Sequence, residues 1–353
     1  MEIRVGLVGC GTVGRGLIEL LSLKGEFLKE RYGVEFKLVL ASDSLKGTVS
    51  CDSGLDAGEL AANLNGKGDL LSMAGAERGA GNLADLLRSL ALDVLCEAAP
   101  TDHRTGEPGM TILKTALGAG VCAATCSKGA VSLDLGGLKE LAAENGALLR
   151  YEGSVLSGTP LINLVRGPLA GCSVSRVEGI VNGTTNYILT KMEEGMEYSA
   201  ALAEAQRLGY AEADPTGDVE GIDPALKVCI MAAEFFGHRL VLSDVSRTGI
   251  INVTDGDIRR AAASGRRIKL IAGVEMGESG GAVRGYVAPR AIDISNPLAS
   301  VSGAANAVSI TTDNLGEITI TGPGAGKRET AQGLLSDMLD ISSWIMGRGR
   351  HRH

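Results

Sequence analysis

Aromatic residues make up 3% of this 353-residue chain, with a single Trp, and only four histidines are present: His103, His238, His351 and His353. None of the four stands in the spacing of a catalytic triad or a metal site, so neither an imidazole base nor a zinc ligand set organises the chemistry. Surplus positive charge is also missing. The 34 Lys and Arg against 42 Asp and Glu leave a net charge of −8, which excludes an extended nucleic-acid surface. The short basic tail 348–353 reads as a frayed, solvated terminus. Seven cysteines (Cys10, Cys51, Cys96, Cys122, Cys126, Cys172, Cys229) form an odd set with no C-x-x-C. Most lie in apolar stretches, the pattern of buried thiols in a reducing compartment, which points to the cytoplasm. Cys122 and Cys126 have no companion Cys or His and are not read as metal ligands. No run reaches the roughly 18 uninterrupted apolar residues of a membrane-spanning helix. The opening Met1-Glu2-Ile3-Arg4-Val5-Gly6 lacks the charged-then-apolar order of a signal peptide. Ser154 and Ser157 lack the G-x-S-x-G elbow of a hydrolase.

What the chain has in excess is glycine. Its 50 glycines are about twice the usual share of roughly 7%, and they are spread evenly, as in an α/β protein with close-packed backbones and many tight turns. Hydrophobic residues at 44% and charged residues at 22% are ordinary for a globular chain with a sizeable core. Strands are expected at 3–8, 36–41, 93–98, 121–125 and 147–151, with helices after residue 12 and at 83–90, 108–117 and 134–145. Asn82 reads as the N-cap of the second helix and Gly146 as the stop of the last. Residues 44–81, rich in Gly, Asn, Asp and Ser, read as an irregular connection or a short excursion. Strands alternating with helices in this way make a parallel sheet covered on both faces. Beyond about residue 150 the pattern loosens. Strands are expected at 173–181, 268–274, 282–287, 309–312 and 318–321, with helices at 184–194, 199–208, 223–236 and an amphipathic 327–346 that returns to the first domain.

Gly9-Cys10-Gly11-Thr12-Val13-Gly14 is a G-x-G-x-x-G directly after a strand and opening a helix. The first glycine permits the turn, the second a close approach to a pyrophosphate, the third helix–sheet packing, and helix N-terminal amides hold the phosphates. This is the fingerprint of a Rossmann-type, doubly wound sheet that binds NAD or NADP. The second strand ends Ala41-Ser42-Asp43-Ser44. An acidic residue there bonds a ribose diol and repels a 2′-phosphate, so Asp43 favours NAD, while Ser42, Ser44 and Lys46 are able to hold a phosphate.

The segment 208–227 packs Glu212, Asp214, Asp218, Glu220 and Asp223 into one stretch between helices. A solvated loop uses Asp and Gly the same way. However, Asp223 precedes Pro224 and so reads as an N-cap, and Lys227 lies one turn on, at the mouth of an apolar helix. A Lys and an Asp so placed suit acid–base work.

This segment resembles the signature of homoserine dehydrogenase, and other stretches agree in order over nearly the whole chain. They are 94–101 (the nicotinamide loop), 123–128 (a strand ending in Lys), 151–160 (the domain junction), 178–187 and the glycine loop 322–326. The resemblance implies an α/β fold: a Rossmann-type domain over 1–134 with a returning segment 322–353, and an α+β substrate-binding and dimerisation domain with a mixed sheet over 135–321. It implies interconversion of L-homoserine and L-aspartate 4-semialdehyde, in threonine, methionine and isoleucine biosynthesis, by an NAD(P)-dependent homodimer. Lys227, Lys128 and Asp223 would be catalytic, and Glu212, Asp218 and Thr184 would bind substrate. The cofactor would meet Gly9, Gly11, Thr12, Val13, Gly14, Ser42, Asp43, Pro100, Thr101, Ser127, Lys128, Gly209 and Gly326. A structural sodium ion would take Glu152, Val155, Ser157 and Thr159.

Three departures qualify the resemblance. Many relatives have Arg at the position of Ser42, which weakens the case for NADP, and Ser127 stands where Asn often precedes the Lys. Neither a regulatory ACT domain nor a fused kinase segment is expected. The alternatives are another amino-acid dehydrogenase, marked by ammonia dependence, or a non-catalytic NAD(P) sensor, which has no need of both lysines and the acidic positions.

Overall fold

Ile3, Val5 and Leu7 are completely buried, because strand β1 (Glu2–Val8) runs through the middle of a sheet with both faces covered. The computed structural model describes residues 1–66, 68–73, 77–78, 82–277 and 281–350, so 351–353 of the basic tail lie outside the described residues. The chain divides into two units, Met1–Gly158 with Gly326–His353, and Thr159–Ala325.

In the first unit α1 (Thr12–Tyr32) follows β1 and ends at Gly33, whose left-handed backbone returns an N–H to the Lys29 carbonyl. Then come β2 (Glu35–Asp43), β3 (Gly47–Ser50), α2 (Ala57–Gly66) and β4 (Glu77–Arg78). The stretch 44–81, expected as an irregular connection or a short excursion, therefore carries regular structure. Its helical signal was Leu60 and Leu64, buried and one turn apart, among Ala and Glu of good helix propensity interrupted by Gly and Asn. α3 (Leu83–Ser89) is capped by the Asn82 side chain, as expected. β5 (Val94–Glu97), α4 (Gly109–Gly118) and β6 (Cys122–Thr125) follow.

The next helix, α5 (Lys128–Glu144), starts six residues before the expected Asp134. Asp134 has non-helical angles and its carboxylate accepts the Gly137 N–H. It is a cap inside a kinked pair of turns, which is why the sequence read as a helix start there. β7 (Leu149–Arg150) closes the sheet, in the order β4-β3-β2-β1-β5-β6-β7. The five strands from β2 to β7 in that order are parallel, and β3 and β4 add an antiparallel edge that was not foreseen. Strand order reverses between β1 and β5, which places a crevice at their carboxyl ends.

The second unit holds α6 (Ile162–Arg166), β8 (Val174–Ile180), α7 (Gly183–Glu193), α8 (Tyr198–Arg207), α9 (Thr216–Val219) and α10 (Ile222–Phe236). It continues through β9 (Ser246–Arg247), α11 (Asp255–Ala263), β10 (Arg266–Gly277), β11 (Gly281–Asp293), β12 (Ala305–Thr312) and β13 (Gly316–Pro323). The sheet order is β13-β12-β8-β10-β11-β9, antiparallel except for the β9–β11 pair. α10 is buried from Pro224 to Ala232, which makes it the central helix rather than an amphipathic cover. It packs closely on the sheet: a Cβ on Gly285 of β11 would lie 2.7 Å from Val228. α11 was missed, although Thr254 and Asp257 form a capping box at its start. The chain then returns to the first unit as α12 (Lys327–Arg350), whose Ala331, Leu334, Leu335, Met338 and Ile341 are buried at helical spacing.

At the turn after β1, Gly9 has φ +94° and donates its N–H to the Ser42 carbonyl, and a Cβ there would meet the Ala98–Ala99 backbone at 2.4 Å. A Cβ on Gly14 would lie 2.0 Å from the Gly9 carbonyl oxygen. Gly9→Ala combines backbone strain with a backbone clash and is expected to cost about 2 kcal/mol, measured by urea unfolding. A stability within experimental error of wild type would contradict this reading of the turn.

Candidate active site

The expected site residues gather in two groups of side chains, one in each unit. In the second unit Lys227 is 5% exposed, and a buried ammonium needs charged or carbonyl partners. Its Nζ donates to the Val181 carbonyl at 2.5 Å and pairs with Asp223 at 2.9 Å. Asp223 and Lys227 are one turn apart on α10, as the spacing required, but Asp223 is the second residue of the helix and not its N-cap, which is Gly221 with a left-handed backbone. Asp218 joins them through Asn182, whose Nδ2 donates to Asp218 Oδ1 at 2.7 Å and Asp223 Oδ2 at 3.0 Å. The other end of that amide caps α7 by accepting the Thr185 N–H at 2.9 Å. Burial pushes the Asp218 carboxyl up, as does the charge of Asp223, and the Asn182 hydrogen bond acts in the opposite sense.

Asn182 was not singled out as a site residue, although it stands in the quoted stretch 178–187. Its signal was an Asn directly before a helix start, which by itself says only N-cap. Thr184, two residues on, is buried, and its hydroxyl donates to the Tyr210 carbonyl at 2.6 Å. That bond holds the start of the acidic segment. Gly209, with φ +77°, makes the turn out of α8. Glu212 is exposed, and its carbonyl accepts from Gln206. The remaining carboxylates shape the chain: Asp214 accepts the Thr216 N–H, and Glu220 faces Arg247 at 3.9 Å.

In the first unit the glycine turn lies at the carboxyl end of β1, and Thr12 and Val13 open α1 behind it. Asp43 is tied to this turn more fully than a ribose ligand alone would require. Its Oδ2 accepts the Cys10 N–H at 2.9 Å and pairs with Lys46 at 3.2 Å, and its Oδ1 accepts the N–H groups of Leu45 and Lys46. Partial burial pushes this carboxyl up, but the hydrogen bonds and Lys46 outweigh it and hold it below the ordinary range. The Ser42 hydroxyl is engaged across the sheet with Thr48 at 2.8 Å.

Thr101 and Ser127 meet through their hydroxyls at 2.6 Å, and Lys128 begins α5 directly after. Pro100 lies in the same loop as Thr101, after β5. Gly326 has φ +140° just before α12. Glu152 is 2% exposed and its N–H donates to Asp337 at 2.8 Å. Val155 and Ser157 are buried, and Ser157 adopts a left-handed φ of 60°. Thr159 belongs to the second unit, where its hydroxyl donates to the Pro323 carbonyl. Among the described residues, no three His, Cys, Asp or Glu gather as a metal cluster.

A phosphate-ready glycine turn at a sheet switch point, in a chain that also buries a Lys–Asp pair, defines a nicotinamide-dependent oxidoreductase that moves a proton as well as a hydride. Comparison with known proteins narrows the class. A family model described as homoserine dehydrogenase matches residues 160–339. The chain is 42% identical over 350 residues to the NAD(+)-dependent homoserine dehydrogenase of Pseudomonas canavaninivorans, covering 99% of each. A hyperthermophilic archaeal homoserine dehydrogenase in complex with NADPH superposes with TM-score 0.83 at 31% identity, covering 97% of this chain and 98% of that one. The crystal structure of the Thiobacillus denitrificans homoserine dehydrogenase gives TM-score 0.85 at 31% identity, covering 100% and 76%. The chain therefore belongs to the homoserine dehydrogenase family, NAD(P)-dependent enzymes acting on a CH–OH group. Among the described residues, no helix is long and apolar enough to cross a membrane.

The Asn182 amide is a donor shared by two carboxylates. Asn182→Ala is expected to remove the α7 cap, at about 1 kcal/mol, and to lower kcat/KM for homoserine about tenfold or more. Asn182→Asp keeps the cap acceptor and brings a third carboxylate, so it is expected to retain most of the stability while losing activity. Thermal melts and steady-state rates on both variants check this. Equal activity in Asn182→Asp and wild type would refute the bridging role.

Proposed function

We propose that the chain interconverts L-homoserine and L-aspartate 4-semialdehyde with NAD as the preferred dinucleotide, and that Lys227 carries the hydroxyl proton. The observation that supports this most directly is the buried Lys227 ammonium held between Asp223 and the Val181 carbonyl. Oxidation of a primary alcohol releases a hydride from carbon and a proton from oxygen, and bound nicotinamide supplies the hydride acceptor. A lysine ammonium protonates the oxygen in the reductive direction and its free amine accepts the proton in the other. Asp223 orients Lys227, and Asp218 with Asp223 leaves a net charge of −1 beside that ammonium, suited to an amino-acid substrate that carries its own ammonium.

We assign that ammonium to Glu212, with Asp218 and Thr184 as further substrate contacts. Lys128 is assigned to polarising the substrate oxygen. It stands at the carboxyl end of β6, where open α/β sheets bind their ligands. Of the alternatives, a C–N-oxidising dehydrogenase would need ammonia for the reverse reaction, and a sensor would bind dinucleotide without turnover.

The preference for NAD rests on Asp43, on Lys46 being paired with it, and on the absence of an Arg from the sequence 41–44 at the end of β2. We assign the sodium ion to the Glu152 carboxylate and the carbonyls of Val155, Ser157 and Thr159, an all-oxygen donor list with a single carboxylate. Such a set suits a monovalent hard cation better than a divalent one. The homodimer is proposed on the family resemblance, and a cytoplasmic setting on seven free thiols.

Mixing protein, homoserine and NAD and following the absorbance band of reduced nicotinamide tests the reading. Lys227→Ala and Lys128→Ala are each expected to cut kcat by about 10²–10⁴-fold with dinucleotide binding kept. A kcat within about threefold of wild type in both would sink the assignment. Ser42→Arg is expected to move kcat/KM toward NADP, and a wild-type preference for NADP of about 100-fold would overturn the NAD assignment.

A further inference from the structure

Glu97, the last residue of β5, is 0% exposed, and no role given so far uses it. Its Oε1 accepts the Ala99 N–H at 2.9 Å and its Oε2 accepts the Thr125 hydroxyl at 2.5 Å. Thr125 Oγ1 in turn accepts the Ser127 N–H at 2.9 Å, and the Ser127 hydroxyl lies 2.6 Å from that of Thr101. Gly109, which opens α4, closes the cluster: a Cβ there would lie 2.8 Å from Ser127 Oγ, 3.0 Å from Thr101 Oγ1 and 3.5 Å from the Glu97 carboxyl carbon. One buried carboxyl therefore links the loop after β5, residues 98–101, to the turn after β6 that leads into Lys128.

The position of this link in the sheet gives it a function. A dinucleotide bound here has its pyrophosphate on the glycine turn at the α1 N-terminus and its adenosine half toward β2, where Asp43 stands. The other half must then cross the β1–β5 switch point and lie over the carboxyl ends of β5 and β6. Those are the two ends that Glu97 joins. We propose that Glu97 is a positioning residue for the nicotinamide end of the cofactor, holding the loops after β5 and β6 in register without touching the cofactor itself.

The link is a costly one to build. Burial raises the Glu97 carboxyl to about 7, against the pull of its Thr125 and Ala99 hydrogen bonds. A group that serves packing alone is more cheaply replaced by an apolar side chain of similar volume. The proposal rests on the dehydrogenase reading, so its test compares two nucleotides. NAD⁺ carries the nicotinamide ring and ADP-ribose lacks it.

Calorimetric titration of the full chain and of Glu97→Ala, Thr125→Val and Thr125→Ser separates the outcomes. The Kd for NAD⁺ is expected to rise about tenfold in Glu97→Ala and in Thr125→Val, with the Kd for ADP-ribose within about twofold of wild type. Thr125→Ser keeps the hydroxyl and is expected to bind both as wild type does. If Glu97→Ala does not fold, Thr125→Val and its Ser control carry the comparison. Parallel weakening of NAD⁺ and ADP-ribose would reduce Glu97 to a packing role and overturn the proposal, as would unchanged NAD⁺ binding. A wild type that binds NAD⁺ and oxidises homoserine while the variants match it refutes the positioning role alone. A wild type that binds neither nucleotide removes the dehydrogenase reading and this inference with it.

Discussion

A lysine ammonium buried in the second turn of a helix is unfavourable on two counts. It loses its hydration, and it lies near the positive end of the helix dipole. The second unit is arranged around offsetting this. Asp223 stands one turn earlier on α10 and pairs with Lys227. The chain leaving β8 turns so that the Val181 carbonyl points at the same Nζ. Asn182 follows immediately, caps α7 and hands its two amide hydrogens to Asp223 and Asp218. Four elements are thus set by one charge: β8, α7, the acidic segment and α10. Removal of any partner would leave an ion buried without compensation, a larger penalty than the loss of a surface pair.

The first unit depends on a different constraint, which is backbone approach. Gly9 and Gly14 bring the turn after β1, the chain after β5 and the start of α1 to distances that no side chain permits. Asp43 then fastens that turn through the Cys10 N–H. The carboxylate on which the proposed NAD preference rests therefore also holds the glycine turn. On the proposed NAD preference, one residue would serve both selectivity and loop geometry, so changing Asp43 itself would confound the two. Ser42 is the cleaner position for altering preference, because its hydroxyl bonds only outward along the sheet to Thr48 among the contacts described.

Burial sorts the five carboxylates of the acidic segment better than spacing does. Asp218 and Asp223 are drawn in and bridged by an amide. Asp214 caps a turn, Glu220 faces Arg247, and Glu212 is exposed. Spacing left two readings of this segment open, a solvated loop and a catalytic cluster, and burial divides its residues between an inner bridged pair and an outer solvated set. The division follows from the two short helical turns at α9 and the head of α10, which carry Asp218 and Asp223 inward while the residues before Thr216 stay on the surface.

Local pattern was enough for what depends on neighbours in sequence. The glycine fingerprint, the strand–helix alternation, the Asn82 cap and the one-turn spacing of Asp223 and Lys227 were all legible, because each is set by bonds and periodicities within a few residues. The antiparallel edge of β3 and β4 was hidden, since strands of four and two residues are too short to show a period of their own and are held by pairing, β3 on β2 and β4 on β3. The true start of α5 was hidden by Asp134, whose capping chemistry is real but sits at a kink. In sequence Asn182 offers only the pattern of a helix cap and Glu97 only a place within a buried strand, and neither pattern says more. Their other partners lie 36 and 41 residues away for Asn182 and 28 for Glu97, and only the packing of separate elements brings such groups within hydrogen-bond reach.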